Sequence, residues 1–449
     1  MQLTGPFFLL FFLPLSFAVF LPFRRFRPLI FPFLCLSYPV LCQLKNPFGL
    51  LCLLFPATLC FLLIYPDRER CPRLRVALSL LLPLALYFTL RVGAERNVLP
   101  FLYPTGLLTV TCHSALAVLD RVQKEESAFS SPFSLLSYLF FFPVLPLGPI
   151  LFPEQFRAME ETGGITLPRF SSGVLLYMKG FVKRVAVAAV LYRALCQTLL
   201  YGEGKLPFVY LPILLLLSGF LCWFLFSGYT DMARGLSSLY GFTLPMEEGI
   251  PVTFAFAHSL FRFVRRFLSL LFDRLPPKRA TGRLLVGLSL FLSMVIFRPQ
   301  PSFWLFSLPL LLLLVFFAYY PARGKMRPWL SSLLFLFFLA PAALCGALPA
   351  SYSPFTLFAG NAGERYRFFY VYSTVSDTRY LFIGCAVFLG YLLLKWLFAR
   401  LRPHLPASLC RVGTLASTFV LFAFFVLTLI YFMPQFPAYA DRPFGTLCF

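Results

Sequence analysis

The residues best equipped for chemistry form a short polar run directly after an apolar one. Ser227, Gly228, Tyr229, Thr230 and Asp231, then Arg234 and Gly235, follow the apolar stretch 206–226. Asp231 and Arg234 are three apart, so a helix places them on one face. Ionisable groups in apolar surroundings are costly and face a cavity or each other. Two readings stay open: a structural Asp–Arg pair, or the wall of a polar tunnel. Histidine, the commonest general base, occurs only three times. His113 lies inside an apolar run and reads first as hydrogen-bonded core. His404 stands beside Arg400 and Arg402 at the edge of an apolar run and reads as an interface residue. His258 precedes Arg265 by seven residues, about 10 Å along a helix. Around it Phe254, Phe256, Phe261, Phe263 and Phe267 alternate with Arg262, Arg265 and Arg266. That mixture predicts an amphipathic helix lying in a membrane interface, with Arg toward headgroups. The twelve Cys are scattered, mostly within apolar runs, with no CxxC pair and no Cys/His cluster of metal spacing. They read as small hydrophobes, and no metal site is expected.

The elements that must hold these residues are membrane helices. Hydrophobic residues make up 59% of the 449, charged residues only 12%, and mean hydropathy is +0.82. A soluble domain carries about twice that charged fraction. Apolar runs long enough to cross the hydrocarbon recur at 6–23, 28–43, 47–65, 74–91, 98–119, 133–152, 173–200, 206–226, 282–297, 302–320, 328–347, 380–398 and 411–433. This predicts an all-α polytopic membrane protein of about 10–13 spans. The frequent prolines, 38 in all, suit helices that are kinked or broken inside a bundle. The first run lacks a basic leader and a small-residue cleavage site, so it reads as a retained helix. Polar intervals at 120–131, 245–281 and 351–379 read as loops or surface segments. No internal repeat is visible, which argues against a transporter built on repeats. The chain reads as one domain, 1–449.

Lys and Arg number 39 against 17 acids, a net charge of +22. Basic residues fall in alternate loops: Arg24, Arg25 and Arg27 after the first run, only Lys45 after the second, then Arg68, Arg70, Arg73 and Arg75 after the third. Positive charge on the cytoplasmic side predicts an N-terminus outside, and it accounts for the basic balance without nucleic acid.

Several segments carry a resemblance to a known family. Phe226-Ser227-Gly228-Tyr229-Thr230-Asp231-Met232-Ala233, then Gly235-Leu236 and Leu239-Tyr240-Gly241-Phe242-Thr243-Leu244-Pro245, resemble the signature of the membrane-bound O-acyltransferases. The nearest branch is that of the alginate O-acetyltransferase and the membrane protein that D-alanylates teichoic acids. The N-terminal run with its basic stop, the spacing of Pro104, Gly106, Thr111 and Asp120, Phe141-Phe142-Pro143 with Gly148-Pro149-Ile150, and Gly180-Phe181-Val182-Lys183-Arg184 agree in order. The resemblance is most recognisable over 100–275. It implies a bundle of tilted helices around a tunnel. The implied reaction moves an acyl group, acetyl or similar, from a cytoplasmic thioester toward a cell-surface polysaccharide or polymer. The donor is acyl-CoA or an acyl-carrier protein, no cofactor stays bound, and a periplasmic or extracellular acyltransferase is the expected partner. An alcohol is a poor nucleophile until a base takes its proton.

The sequence departs from the family at that base. The segment 282–308, which should hold the family histidine, contains none, and Arg298 stands in that region. A second family histidine is replaced after Val264-Arg265-Arg266-Phe267 by Leu268. Arginine stays protonated and cannot be a base. Candidate bases are therefore Asp231 and His258, with Glu247 behind them. Ser227, Tyr229, Thr230 and Arg234 would line the tunnel, and Lys183, Arg184, Arg265 and Arg266 would attract the donor's phosphates. Two readings follow: an O-acyltransferase impaired by the missing histidine, or a non-catalytic relative that binds or assembles.

Overall fold

In the computed structural model the described residues cover most of 3–64, 73–95, 104–195, 211–246 and 252–272, the helix at 407–431, and a few positions from 386 to 401. Apart from Leu292, the expected spans within 282–347 lie outside them, as do the interval 351–379, Glu247, Arg298 and His404. Among the described residues the architecture is all-α with no strand, as the composition predicts.

A π-helical turn, Phe8–Phe12, leads into α1 (Leu13–Phe20). Then come α2 (Arg27–Cys42), α3 (Pro47–Ile64), α4 (Arg73–Glu95) and α5 (Leu107–Lys124). The apolar run 98–119 predicts an earlier start for α5. Pro104 and Gly106, with φ +91° at the glycine, turn the chain there, and the helix begins at Leu107. Prolines sit inside α2, α3 and α4 at Pro32, Pro39, Pro56 and Pro83, as membrane helices tolerate.

The run 133–152 is not a span. Helix α6 (Pro132–Leu139) is capped by Ser131, whose side chain accepts from the Ser134 amide at 3.2 Å, and it stops before Phe140. The described residues of 140–152 then form a buried, irregular segment. Its Phe-rich sequence is apolar because it is buried, not because it is a long helix. Helix α7 (Pro153–Thr162) is polar. Helix α8 (Leu167–Val182), capped by Thr166, runs into a second π-helical turn, Lys183–Val187. Helix α9 (Leu211–Leu239) continues through the polar signature instead of stopping at 226. The mixed Phe/Arg segment forms helix α10 (Ala255–Phe272), in line with its amphipathic pattern. Helix α11 (Ala407–Tyr431) is the C-terminal described helix.

Pro47–Ile64, Val76–Gly93 and Val412–Ile430 are long and apolar enough to cross a membrane. Large apolar side chains such as Leu62, Leu415 and Phe419 stand exposed on these helices, which suits contact with lipid and not with water. The interior is aromatic. Phe8, Phe12, Phe20, Phe31 and Tyr38 from the N-terminal helices meet Phe141 and Phe142, Tyr240 and Phe242. Phe31 and Phe242 approach to 4.6 Å between centroids. The Tyr240 hydroxyl shares a 2.6 Å hydrogen bond with Ser16. Three segments that carry the family resemblance are thus packed into one cluster.

Candidate functional site

The site is built where α8 and α9 touch. Each helix carries two glycines seven residues apart: Gly173 and Gly180 on α8, Gly228 and Gly235 on α9. They face one another in antiparallel pairs. A Cβ at Gly180 would lie 2.6 Å from the Gly228 carbonyl oxygen, and one at Gly173 would lie 2.9 Å from that of Gly235. Small residues let membrane helices approach backbone to backbone. The approach brings the ends of two neighbouring side chains together. Lys183, the first residue of the π-helical turn, donates to Asp231 Oδ2 at 2.6 Å, and Lys179 Nζ lies 3.4 Å from the same oxygen. Asp231 is buried, with 1% of its side chain exposed. π-Helical turns recur at functional sites.

Asp231 therefore pairs with lysines of α8. Arg234 lines a cavity of about 440 Å³ between α8, α9 and α11, together with Lys179. Thr230 donates to the Phe226 carbonyl at 2.9 Å. Ser227 is buried, and its hydroxyl meets no partner among the described residues. Arg184 lies over the Tyr229 ring, 5.3 Å from its centroid. Ser227, Tyr229, Thr230, Asp231 and Arg234 are thus brought together with Lys183 and Arg184, residues that the sequence suggests for a separate role.

Two expected donor-binding cations have carboxylate partners. Lys183 is held by Asp231. Arg266 on α10 reaches Asp120 Oδ1 of α5 and Glu154 Oε1 of α7, each at 3.1 Å. Arg266 ties three helices together, whereas Arg265 beside it is exposed. Arg262 packs its guanidinium 4.3 Å from the Phe152 ring centroid.

The same helices clamp the buried segment 140–152. The Leu151 amide donates to His113 Nε2 at 3.2 Å, and the Ile150 amide donates to the Ser259 hydroxyl at 2.8 Å. Tyr138 donates its hydroxyl to the Leu151 carbonyl at 2.9 Å. The lone pair of His113 is thereby used, which bears out its reading as hydrogen-bonded core. His258 sits half-buried on α10, next to Ser259. Among the described residues no His, Cys, Asp and Glu group could hold a metal ion.

Sequence reasoning overlooks Lys179, Ser259 and Tyr138. Lys179 had a signal: it precedes Lys183 by four residues and so shares its helix face. Nothing in the sequence marks Ser259 or Tyr138, because their partners are backbone groups more than ten residues away.

No family model matches the chain. Curated relatives do. The probable alginate O-acetylase AlgI of Pseudomonas syringae pv. tomato is 27% identical over 152 residues, 34% of this chain and 29% of that protein. The protein of the same name from Pseudomonas aeruginosa is 28% identical over 170 residues, 37% and 31% of the two chains. That from Azotobacter vinelandii is 27% identical over 180 residues, 39% and 34%. The match thus spans about a third of the length of these relatives. These similarities support a relationship between this membrane protein and the membrane-bound O-acyltransferases.

Proposed function

We propose that the chain takes part in O-acylation of a cell-surface polysaccharide, as a membrane acyltransferase related to the alginate O-acetylases. The observation that carries this reading is the buried signature carboxylate Asp231 held by Lys179 and Lys183, in a chain similar to those enzymes. In this reading the chain is one multi-pass domain with its N-terminus outside. A cytoplasmic thioester, acyl-CoA or acyl-carrier protein, is the donor, and a second acyltransferase on the outer side carries the group onward. The paired Asp231 and Lys183 hold the α8–α9 contact rigid beside the acyl path. Lys183, Arg184, Arg265 and Arg266 are the candidates for attracting the donor's phosphates.

A second reading, a non-catalytic assembly protein, is favoured by one observation. His113 spends its Nε2 lone pair on the Leu151 amide, and 282–308 has no histidine. One experiment separates the two. Membranes containing the chain are given acetyl-CoA labelled in the acetyl group. Label in base-labile esters of the polymer fraction, lost with Asp231→Asn, is the result expected of the acyltransferase. Membranes that transfer no label, from cells whose ester content still depends on the gene, would assign the chain to assembly.

A further inference from the structure

The cavity between α8, α9 and α11 is mostly apolar, with two cations in its lining. Leu175, Leu176 and Leu421 form one wall, and Lys179 and Arg234 stand on another. Among the described residues Lys179 and Lys183 share one carboxylate, Asp231, and Arg234 lines the same cavity as Lys179. Arg234 makes no ion pair with a described residue. Surplus positive charge in apolar surroundings calls for an anion. Three of the four hydroxyls around the cavity already donate to backbone carbonyls, and the fourth, on Thr243, is exposed. Ser172 and Ser238 both donate to the Arg169 carbonyl, at 2.9 and 2.8 Å, and Thr418 donates to the Thr414 carbonyl at 3.0 Å. Their protons are spent, and they offer lone pairs to a ligand. Lys179 and Arg234 are the charged groups that would hold an anion, with the Thr243 hydroxyl as a neutral donor, while the ligand's own hydroxyls can donate to Ser172, Ser238 and Thr418.

Position fixes where such a ligand comes from. Helix α8 starts at Leu167, beside the polar helix α7. Ser172 and Lys179 lie about 8 and 18 Å along it from that end. Lys179 Nζ stays at the level of Asp231, 3.4 Å from its Oδ2, so an anion has to reach in along the cavity to meet it. Next to Thr418 and Leu421, α11 exposes Leu415, Phe419 and Phe422, a surface suited to an acyl chain.

We propose that this cavity binds the phosphate of an anionic phospholipid with a hydroxyl-bearing headgroup. Lys179 and Arg234 hold the phosphate and α11 carries the tail. The site shares Lys179 and Arg234 with the candidate acyl-transfer site, but lipid retention is read without any acyl transfer. Its test uses the full chain in nanodiscs and follows retained lipid by native mass spectrometry. Phosphatidylglycerol should be retained over phosphatidylcholine. Arg234→Gln and Lys179→Gln should each weaken that retention about tenfold or more, the worth of one charge-assisted hydrogen bond. Arg157→Gln, which touches only the exposed Glu161, should leave it unchanged. Arg234→Gln breaks no ion pair, so its melting temperature should stay that of the wild type and its lipid loss should read as binding. Equal retention of the two lipids, or equal loss in Arg157→Gln, would overturn the proposal. Displacement of the lipid by millimolar inorganic phosphate would overturn its lipid source and leave a soluble-phosphate site.

Discussion

At the scale of single residues, one buried carboxylate anchors the α8–α9 contact. Asp231 and Lys183 are both nearly inaccessible and meet at 2.6 Å. Removing one partner of such a pair leaves an uncompensated charge and costs about 3–5 kcal/mol, whereas replacing both with apolar residues is often neutral. Asp231→Asn should therefore lower the melting temperature markedly, and Asp231→Asn with Lys183→Met should recover most of it. Thermal unfolding in detergent checks this. Equal destabilisation by the single and double variants would mean that the pair does not carry the α8–α9 contact. The importance of Asp231 was legible in the sequence, since an acid inside apolar surroundings needs a partner. The identity of that partner was not. Arg234 is closer along the chain, but Lys183 and Lys179 are closer in space, because two helices touch there. Likewise Arg266 reads as a free cation until folding brings Asp120 and Glu154, 146 and 112 positions away, to its guanidinium.

At the scale of elements, the glycine pairs make that contact. A methyl group at Gly180 would sit 2.6 Å from the Gly228 carbonyl oxygen and the Met232 amide. Gly180→Ala gains helix propensity of about 1 kcal/mol, but the helices must separate to admit the methyl. Gly93 on α4 has nothing within 4 Å of its Cβ position. Gly93→Ala should raise stability by up to about 1 kcal/mol, and Gly180→Ala should lower it. Paired melting curves check both signs, and a stabilised Gly180→Ala would contradict the close approach. The seven-residue glycine spacing stands in the sequence on both helices, but only their pairing gives it meaning. Elements with a plain apolar run, such as Pro47–Ile64, were legible almost to the residue. The run 133–152 misleads because hydrophobicity reports burial, and the described residues from Phe140 to Phe152 are buried without being helical. Helix α9 extends past its apolar part for the converse reason. Its polar turn is bonded to α8 and does not end the helix.

At the scale of the molecule, an aromatic interior and a clamped buried segment bring the recognisable segments together. His113, Tyr138, Ser259, Arg262 and Arg266 all act on residues 150–154 or their neighbours. These contacts join α5, α6, α7 and α10 into one framework beside the α8–α9 site. A framework this interlocked suits a rigid acyl path, where reacting groups must be held in place. The central claim is that this framework serves O-acylation of a surface polymer. The most direct measurement is the content of base-labile O-acyl esters in the surface polymers of cells with and without the gene. The account predicts that the esters fall on deletion and return when the intact chain is supplied. An ester content unchanged by deletion would contradict it.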